Sequence, residues 1–565
     1  MNYLKKLFAG ALLALAFNAP AHAVDYYIVD CQPGADAACV PGDDARTATQ
    51  AQNPATPWRT WAGVPMVNKV GNTRFLFGRG GYLTDVSIGL SWWTNNGTGN
   101  ASETTEDAPM TFDAYTPSWC VGACATTKPV LEQTTIGKDL FASDTNGTHL
   151  NDGGYIMRNL KLQGGGTPIP PKVVKAERAF FFYDMNRGVT IENMEITGFQ
   201  SAVAPANGNN MLTYNLIVRN SYIHHNGSSV FGGATGLLVE NNLFEYNGDP
   251  LITPDSHDMY LSYVTNGVIR NNIFRNTTYN ADGKCAKTIL VVHGRINGLL
   301  IEGNRFEQPG GLGTCYGIEA DNGYDMTHPE TMSNVTIRDN LLYNVGGAGI
   351  VVGICNNCVI ESNRIVWTSV TNNCSIGIST FGGNAPKSID TPNQHIAIRN
   401  NSIYMDCTGS GGIRAIDTKN VGTEHSLTNN LMVFGPNTAD RTSRTCFNRD
   451  TTNSPSNFLA TGNNICYSAG GALTWSNLHS TLSAAQAAGW DAGSMVADPL
   501  FVATPSAAND YSLAVQSGSP AVNAGNQTHK SRLSAGRKFP IGARDIGAFD
   551  YGATVVAPVP PILFR

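Results

Sequence analysis

Charge is scarce in this chain. Only 14% of its 565 residues are Asp, Glu, Lys or Arg, and the formal net charge is −6. A chain so poor in cations offers no basic face for a phosphate backbone, which argues against general nucleic-acid binding. Long apolar runs are missing as well. Beyond residue 23 nothing approaches the roughly 18 to 20 apolar residues of a membrane-crossing helix, so no span is read. A nucleophile elbow, a phosphate-binding glycine loop and a His/Cys metal motif of the right spacing are all absent.

The opening residues read as a secretory leader. Lys5 and Lys6 precede the short apolar run LFAGALLALAFNA, and Ala21-His22-Ala23 fits a small-x-small cleavage site, so residues 1–23 are assigned as a signal peptide. Removing the two lysines takes the net charge from −6 to −8. The protein is therefore expected to be secreted or periplasmic. In such a setting its 12 cysteines read as disulfides. Cys31 with Cys39, Cys120 with Cys124, and Cys446 with Cys466 are close enough to staple loops, while connectivity at large stays open. Cys355-x-x-Cys358 lacks the βαβ context of a redox motif and reads as structural.

Sixty glycines and abundant asparagine are the composition of a turn-rich β protein. One unit recurs along the chain: a short apolar strand, a charged residue, an Asn-containing turn and a second apolar strand. Clear copies are LLVENNLF (237–244), GVIRNNIF (267–274), LLIEGNRF (299–306), VTIRDNLLY (335–343), CVIESNRIV (358–366), IAIRNNSIY (396–404) and SLTNNLMVF (426–434). Their turn asparagines, Asn242, Asn272, Asn304, Asn340, Asn363, Asn401 and Asn430, recur at intervals of 30, 32, 36, 23, 38 and 29 residues. A rigid module lengthened by loops of variable size indicates a solenoid of stacked coils, each with three short strands. Asparagine suits such a turn on two counts: it tolerates left-handed backbone, and its side chain can bond to its counterpart one coil along. The isoleucines beside these turns, among them Ile269, Ile301 and Ile337, are expected to stack inside.

Residues 24–135 read as the N-terminal cap and first strands, 136–435 as the coils, and 436–565 as C-terminal coils, cap and tail. The Asn-turn coils, the opening RFLFGRGGYL and PMTFDAYTP, and the ending DPLF, GSPAVNAG and DIGAFDYG together resemble the secreted right-handed parallel β-helix superfamily. That superfamily includes pectate lyases, alginate and chondroitin lyases and mannuronan epimerases. The resemblance implies an all-β, right-handed parallel β-helix with capped ends, and a polysaccharide for substrate. The same scaffold carries several activities, so chemistry has to be sought in particular residues.

In a solenoid, equivalent positions of successive coils become neighbours. The strand after each long loop reads DMYLSY (258–263), TILVVHG (288–294) and YGIEADN (316–322), and then turns apolar or small in AGIVVGI (348–354). Alternation aims Asp258, Tyr260, Glu319 and Asp321 outward, with His257, Lys287, His293 and Arg295 flanking. This band can supply an acid, a base and a neutraliser for a substrate carboxylate, the three needs of a uronate lyase. A calcium-dependent lyase, by resemblance, would use Lys287 and Arg295 as catalytic cations and Glu319 with Asp321 as Ca²⁺ ligands. His257 lies in Asp255-Ser256-His257-Asp258, which loosely resembles the Asp-Pro-His-Asp/Glu element of mannuronan epimerases, with Ser256 in place of proline and Ile252 in place of their upstream tyrosine. The expectation is a secreted, monomeric polysaccharide lyase cleaving an acidic glycan by β-elimination: Lys287 or His257 as base, Tyr260 as acid, and Arg295 facing the carboxylate. Its rivals are an inverting glycoside hydrolase using two of Asp258, Glu319 and Asp321, an epimerase, and a non-catalytic glycan-binding protein.

Overall fold

Each repeat builds one coil. The computed structural model describes residues 24–548 apart from 66–70, 91–104, 144–152, 166–175, 183–186, 206, 209–210, 249–256, 279–286, 309–314, 324–328, 369–373, 381–389, 391–392, 419–421, 507–510 and 527–544. The assigned leader and the Pro-rich tail lie outside these residues, as does Cys285. Within them, three sheets of 17, 14 and 13 strands run the length of the molecule, here called A, B and C. Sheet A takes the strand before the Asn turn, sheet B the strand after it, and sheet C the strand beyond the long loop. Thr265–Arg270, Ile273–Arg275 and Leu290–His293 make one such circuit. Coil-to-coil pairing is parallel, as it must be when every coil runs the same way round.

Three apolar columns fill the interior. In sheet A, Ile269, Ile301, Ile337, Ile360 and Ile398 follow one another in register, each at most 1% exposed. In sheet B, Phe244, Phe274 and Phe306 stack with ring centroids 4.8 and 4.7 Å apart. In sheet C the column runs Met259, Leu290, Ile318 and Ile350. Strands buried on one face alternate, and the alternation of these sequences is what points one column inward.

The turn divides between two neighbouring residues the two roles first given to one asparagine. Left-handed backbone belongs to the first turn residue, Asn241 (φ 56°), Asn271 (φ 55°), Asp339 (φ 56°), Asn400 (φ 54°) and Asn429 (φ 60°), with Gly303 in one coil. The second residue, in ordinary backbone conformation, turns its side chain in and builds the ladder. Asn272 Oδ1 accepts from both the backbone N–H and Nδ2 of Asn242 at 3.0 Å, and Asn304 Oδ1 does the same for Asn272. Nδ2 of each also donates to a carbonyl of the preceding coil, as Asn304 does to Ile269 at 2.9 Å. Buried amides so saturated fix the stacking register.

Among the described residues, five disulfides join Cys31 to Cys39, Cys120 to Cys124, Cys355 to Cys358, Cys374 to Cys407 and Cys446 to Cys466. No free cysteine is found among the described residues. Such a set suits an extracellular protein. No helix among the described residues is long and apolar enough to cross a membrane.

Candidate active site

Sheet C gathers most of the titratable band on three consecutive coils. Met259, Leu290 and Ile318 face inward, and the adjacent outward column is Phe231, Tyr260, Val291 and Glu319. Tyr260 is the centre. Its ring stacks on exposed Phe231, centroids 5.0 Å apart and planes 20° from parallel, and lies 5.8 Å from His257 and 5.3 Å from His293. An exposed ring stacked on a half-buried one is a surface on which a sugar can lie.

Both histidines are held in the same tautomer. Nδ1 of His257 lies 3.0 Å from the Thr288 carbonyl, and Nδ1 of His293 lies 2.7 Å from the Asp321 carbonyl. A carbonyl oxygen only accepts, so Nδ1 carries a proton in each ring, and in a neutral His293 Nε2 keeps its lone pair. Burial pulls His293 below its ordinary value of 6.5, partly offset by the bond to Asp321. It is a neutral base in neutral water.

Glu319 is the complementary group. Burial pushes its carboxyl above 4.5, against the pull of the Thr288 hydroxyl, which donates to Oε2 at 2.6 Å. Among the described residues no cation forms an ion pair with it. Tyr316, at the start of the same strand, is raised by burial and then by the negative charge of Glu319 and Asp321.

The remaining predicted residues fall elsewhere or deeper. Asp258 is fully buried, its backbone carbonyl held by Ser229, and Asp321 is 1% exposed, so neither carboxyl is open to a sugar as outward parity implied. Lys287 is half-buried beside Thr288, its carbonyl accepting from the Thr278 hydroxyl at 3.1 Å. Arg295 does not share the face of His293. Gly294, at φ 77°, turns the chain out of sheet C, and Arg295 opens the sheet A strand Arg295–Glu302, exposed and paired with Thr331. Counting parity across a left-handed glycine put it on the wrong sheet. Much of the long loops at 276–287 and 307–316 lies outside the described residues.

Three contributors escaped the sequence. Phe231 sits one coil before Tyr260, Thr288 bridges to Glu319, and Glu330, 3% exposed, accepts from the Gly323 N–H at 2.5 Å. Gly323 is small for a reason: a Cβ there would lie 3.1 Å from Glu330 Oε1 and 3.2 Å from Cγ of His293. Only the aromatic pair at aligned positions, Phe231 and Tyr260, left a trace in the sequence.

Calcium takes six to eight oxygen ligands and favours ionised carboxylates. Two carboxylates fall short of that number, and no group of three or more His, Cys, Asp or Glu converges as a metal site among the described residues. The donor set of Glu319 and Asp321 does not fit Ca²⁺, and the chemistry below is derived from side chains alone.

Sheet A gives the opposite picture. Its outward column at the end of each strand runs Arg158, Glu192, Arg219, Glu240, Arg270, Glu302, Arg338, Glu361 and Arg399, alternating in sign at every coil. Neighbours pair, at 2.6 Å for Arg270 with Glu240 and 2.7 Å for Arg338 with Glu302. That face is neutralised within itself.

Residues 147–330 match the family model described as "Right handed beta helix region". The protein is a right-handed parallel β-helix. Similar solved structures include an alginate lyase from Paenibacillus sp. str. FPU-7, at 13% identity and TM-score 0.34, covering 58% of this chain and 94% of that one. Pectate lyase Pel9A is 12% identical with TM-score 0.33, covering 93% and 96%. A GH136 lacto-N-biosidase from Eubacterium ramulus is 12% identical with TM-score 0.27, covering 84% and 67%. No curated protein matches the sequence. Substrate and reaction in this β-helix are therefore argued from the site.

Proposed function

We propose that this β-helix is an exported polysaccharide lyase that cleaves a uronate-containing glycan by β-elimination on the outward face of sheet C. The observation that carries the reading is Tyr260 set between His257 and neutral His293, two coils from a glutamate raised towards its protonated form.

The sugar lies against Phe231 and Tyr260. Protonated Glu319 donates a hydrogen bond to the substrate carboxylate, which delocalises the charge that builds as the C5 proton leaves. Neutral His293, through Nε2, takes that proton. The electron pair forms the C4–C5 double bond, the C4–O bond breaks, and Tyr260 protonates the departing oxygen. One product carries an unsaturated end and the other a new reducing end. The cycle closes when His293, now imidazolium, passes its proton through solvent to the Tyr260 phenolate. Lys287 and Arg295 lie outside this scheme, the first adding positive potential near the site and the second facing another sheet.

The test is incubation of the protein with polyuronates and neutral glycans, reading ultraviolet absorbance of unsaturated ends beside reducing ends. Absorbance on a polyuronate supports the lyase. Reducing ends without it would replace this reading with the inverting hydrolase, for which raised Glu319 is a fitting general acid.

A further inference from the structure

A second built site lies on sheet B, near the N-terminal end and away from the aromatic face of sheet C. It is a cavity of about 870 Å³, within the size range of ligand pockets. Its floor is a register column of sheet B, Val130, Lys161, Glu195 and Tyr222. Its walls are loops fixed by two disulfides, Cys31 to Cys39 and Cys120 to Cys124. The loops interlock. Asp36 N–H donates to the Gly80 carbonyl at 2.8 Å, and Arg79 donates to the Thr127 carbonyl at 2.7 Å. Walls held this way cost little to order when a ligand enters.

The lining carries three cations, Arg79, Lys128 and Lys161, against the carboxylates of Asp36 and Glu195. Lys161 pairs with Glu195 at 2.7 Å, and His224 stands 3.6 Å from the same carboxylate oxygen. Burial raises the energy of the Glu195 anion, but the bonds to His224 and Lys161 outweigh it and hold the carboxyl at about 2. Arg79 is bonded to a carbonyl, which leaves its charge intact. Burial pulls the Lys128 ammonium down to about 8, Arg79 and Lys161 adding to the effect and Glu195 opposing it. An anion in the cavity favours the charged ammonium. Tyr222, whose hydroxyl is committed to Glu245 at 2.9 Å, contributes a ring stacked on His224, centroids 4.0 Å apart. Cations beside an aromatic ring are the means of holding a carboxylated sugar, while the hydroxyls of Thr126 and Thr127, which donate to the Ala123 and Cys124 carbonyls, can accept from its hydroxyls.

We propose that this cavity is a second, non-catalytic saccharide site, which binds a carboxylate-bearing unit of an acidic oligosaccharide through Arg79 and Lys128. The ligand class follows from the cavity's own residues and stands whether or not sheet C performs elimination.

The test is calorimetric titration of the full chain carrying Tyr260→Phe with a uronate trisaccharide, a neutral trisaccharide and inorganic phosphate. Adding Lys128→Met should remove one uronate site from the stoichiometry or weaken it by about tenfold or more, whatever the starting count, while Lys128→Arg keeps it. Uronate binding at that site should fall as pH rises above about 8, where Lys128 loses its proton. The proposal is overturned if Lys128→Met, with an unchanged Tm, binds the uronate as before. It is overturned equally if the neutral sugar or phosphate binds the cavity as tightly as the uronate, or if Lys128→Arg loses binding while remaining folded. Turnover is not the readout, so failure here and failure of the lyase reading are separate results.

Discussion

Sheets A and C are laid down by the same coils, yet their outward faces do opposite things with charge. On sheet A every coil answers the previous one with the opposite sign, and Glu240, Arg270, Glu302 and Arg338 make a row of matched pairs. On sheet C the row begins with two rings, passes Val291 and reaches Glu319, whose one described side-chain partner is a hydroxyl. An ion pair satisfies its members and leaves nothing for a ligand. A desolvated acid on the same face as a neutral histidine retains proton affinity that a substrate can use. The lesson is that in a repeat protein the site lies where the repeat stops compensating its own charges.

The comparison breaks most sharply at Tyr260. Tyr260→Phe should lower kcat about 10²- to 10⁴-fold on the responsive polyuronate with an unchanged Tm, because it removes a proton donor and keeps the stacking ring. His293→Ala should fall in the same range. A fall that appears only with loss of the folded state would make these residues structural.

A pH profile sharpens the contrast next. His293 is lowered from 6.5, so its base form is lost as pH falls through that lowered value; Glu319 is raised from 4.5, so its donor form is lost as pH rises through that raised value. The rate of kcat/KM should therefore carry an acid limb from His293 and an alkaline limb from Glu319. Glu319→Gln keeps a neutral donor. It should lose the alkaline limb at a cost of less than about tenfold in rate, whereas a hydrolase using Glu319 as general acid would lose activity altogether.

Stability should respond to the turns and hardly at all to the ion pairs. Asn304→Ala strands the Ile269 carbonyl and the Asn272 N–H in the interior, at a cost of about 1 to 3 kcal/mol for each group left unsatisfied. Asn271→Gly, one coil earlier in a left-handed turn, should cost at most a few tenths of a kcal/mol. Denaturant titration of the pair measures the two halves of the turn separately. Smallest of all, Arg270→Gln on sheet A should cost about 0 to 1 kcal/mol, since the arginine is 42% exposed, and should leave turnover unchanged.

The fold was legible because its causes are local. Apolar alternation beside Ile269, Ile301 and Ile337, with an asparagine after each, repeats in the sequence as it repeats in space. The quoted copies even spell the ladder of sheet A in their charged letters, E, R, E, R, E, R. The site was legible only in part. Tyr260, His293 and Glu319 fell on one face because strand parity holds within a strand. Arg295 did not, because Gly294 resets parity at the corner. Asp258 and Asp321 show the other limit, since parity says which way a side chain leaves the sheet and nothing about what covers it. Thr288 and Glu330 reach the site through contacts 31 and 7 residues apart, distances at which no periodicity speaks.

The most direct test of the account is the appearance of unsaturated ends from a polyuronate under wild-type protein, compared with Tyr260→Phe and Arg270→Gln at equal concentration. The account predicts absorbance growing with wild type and Arg270→Gln alike and nearly flat with Tyr260→Phe. Equal growth in all three, or growth lost with Arg270→Gln and kept with Tyr260→Phe, would contradict it.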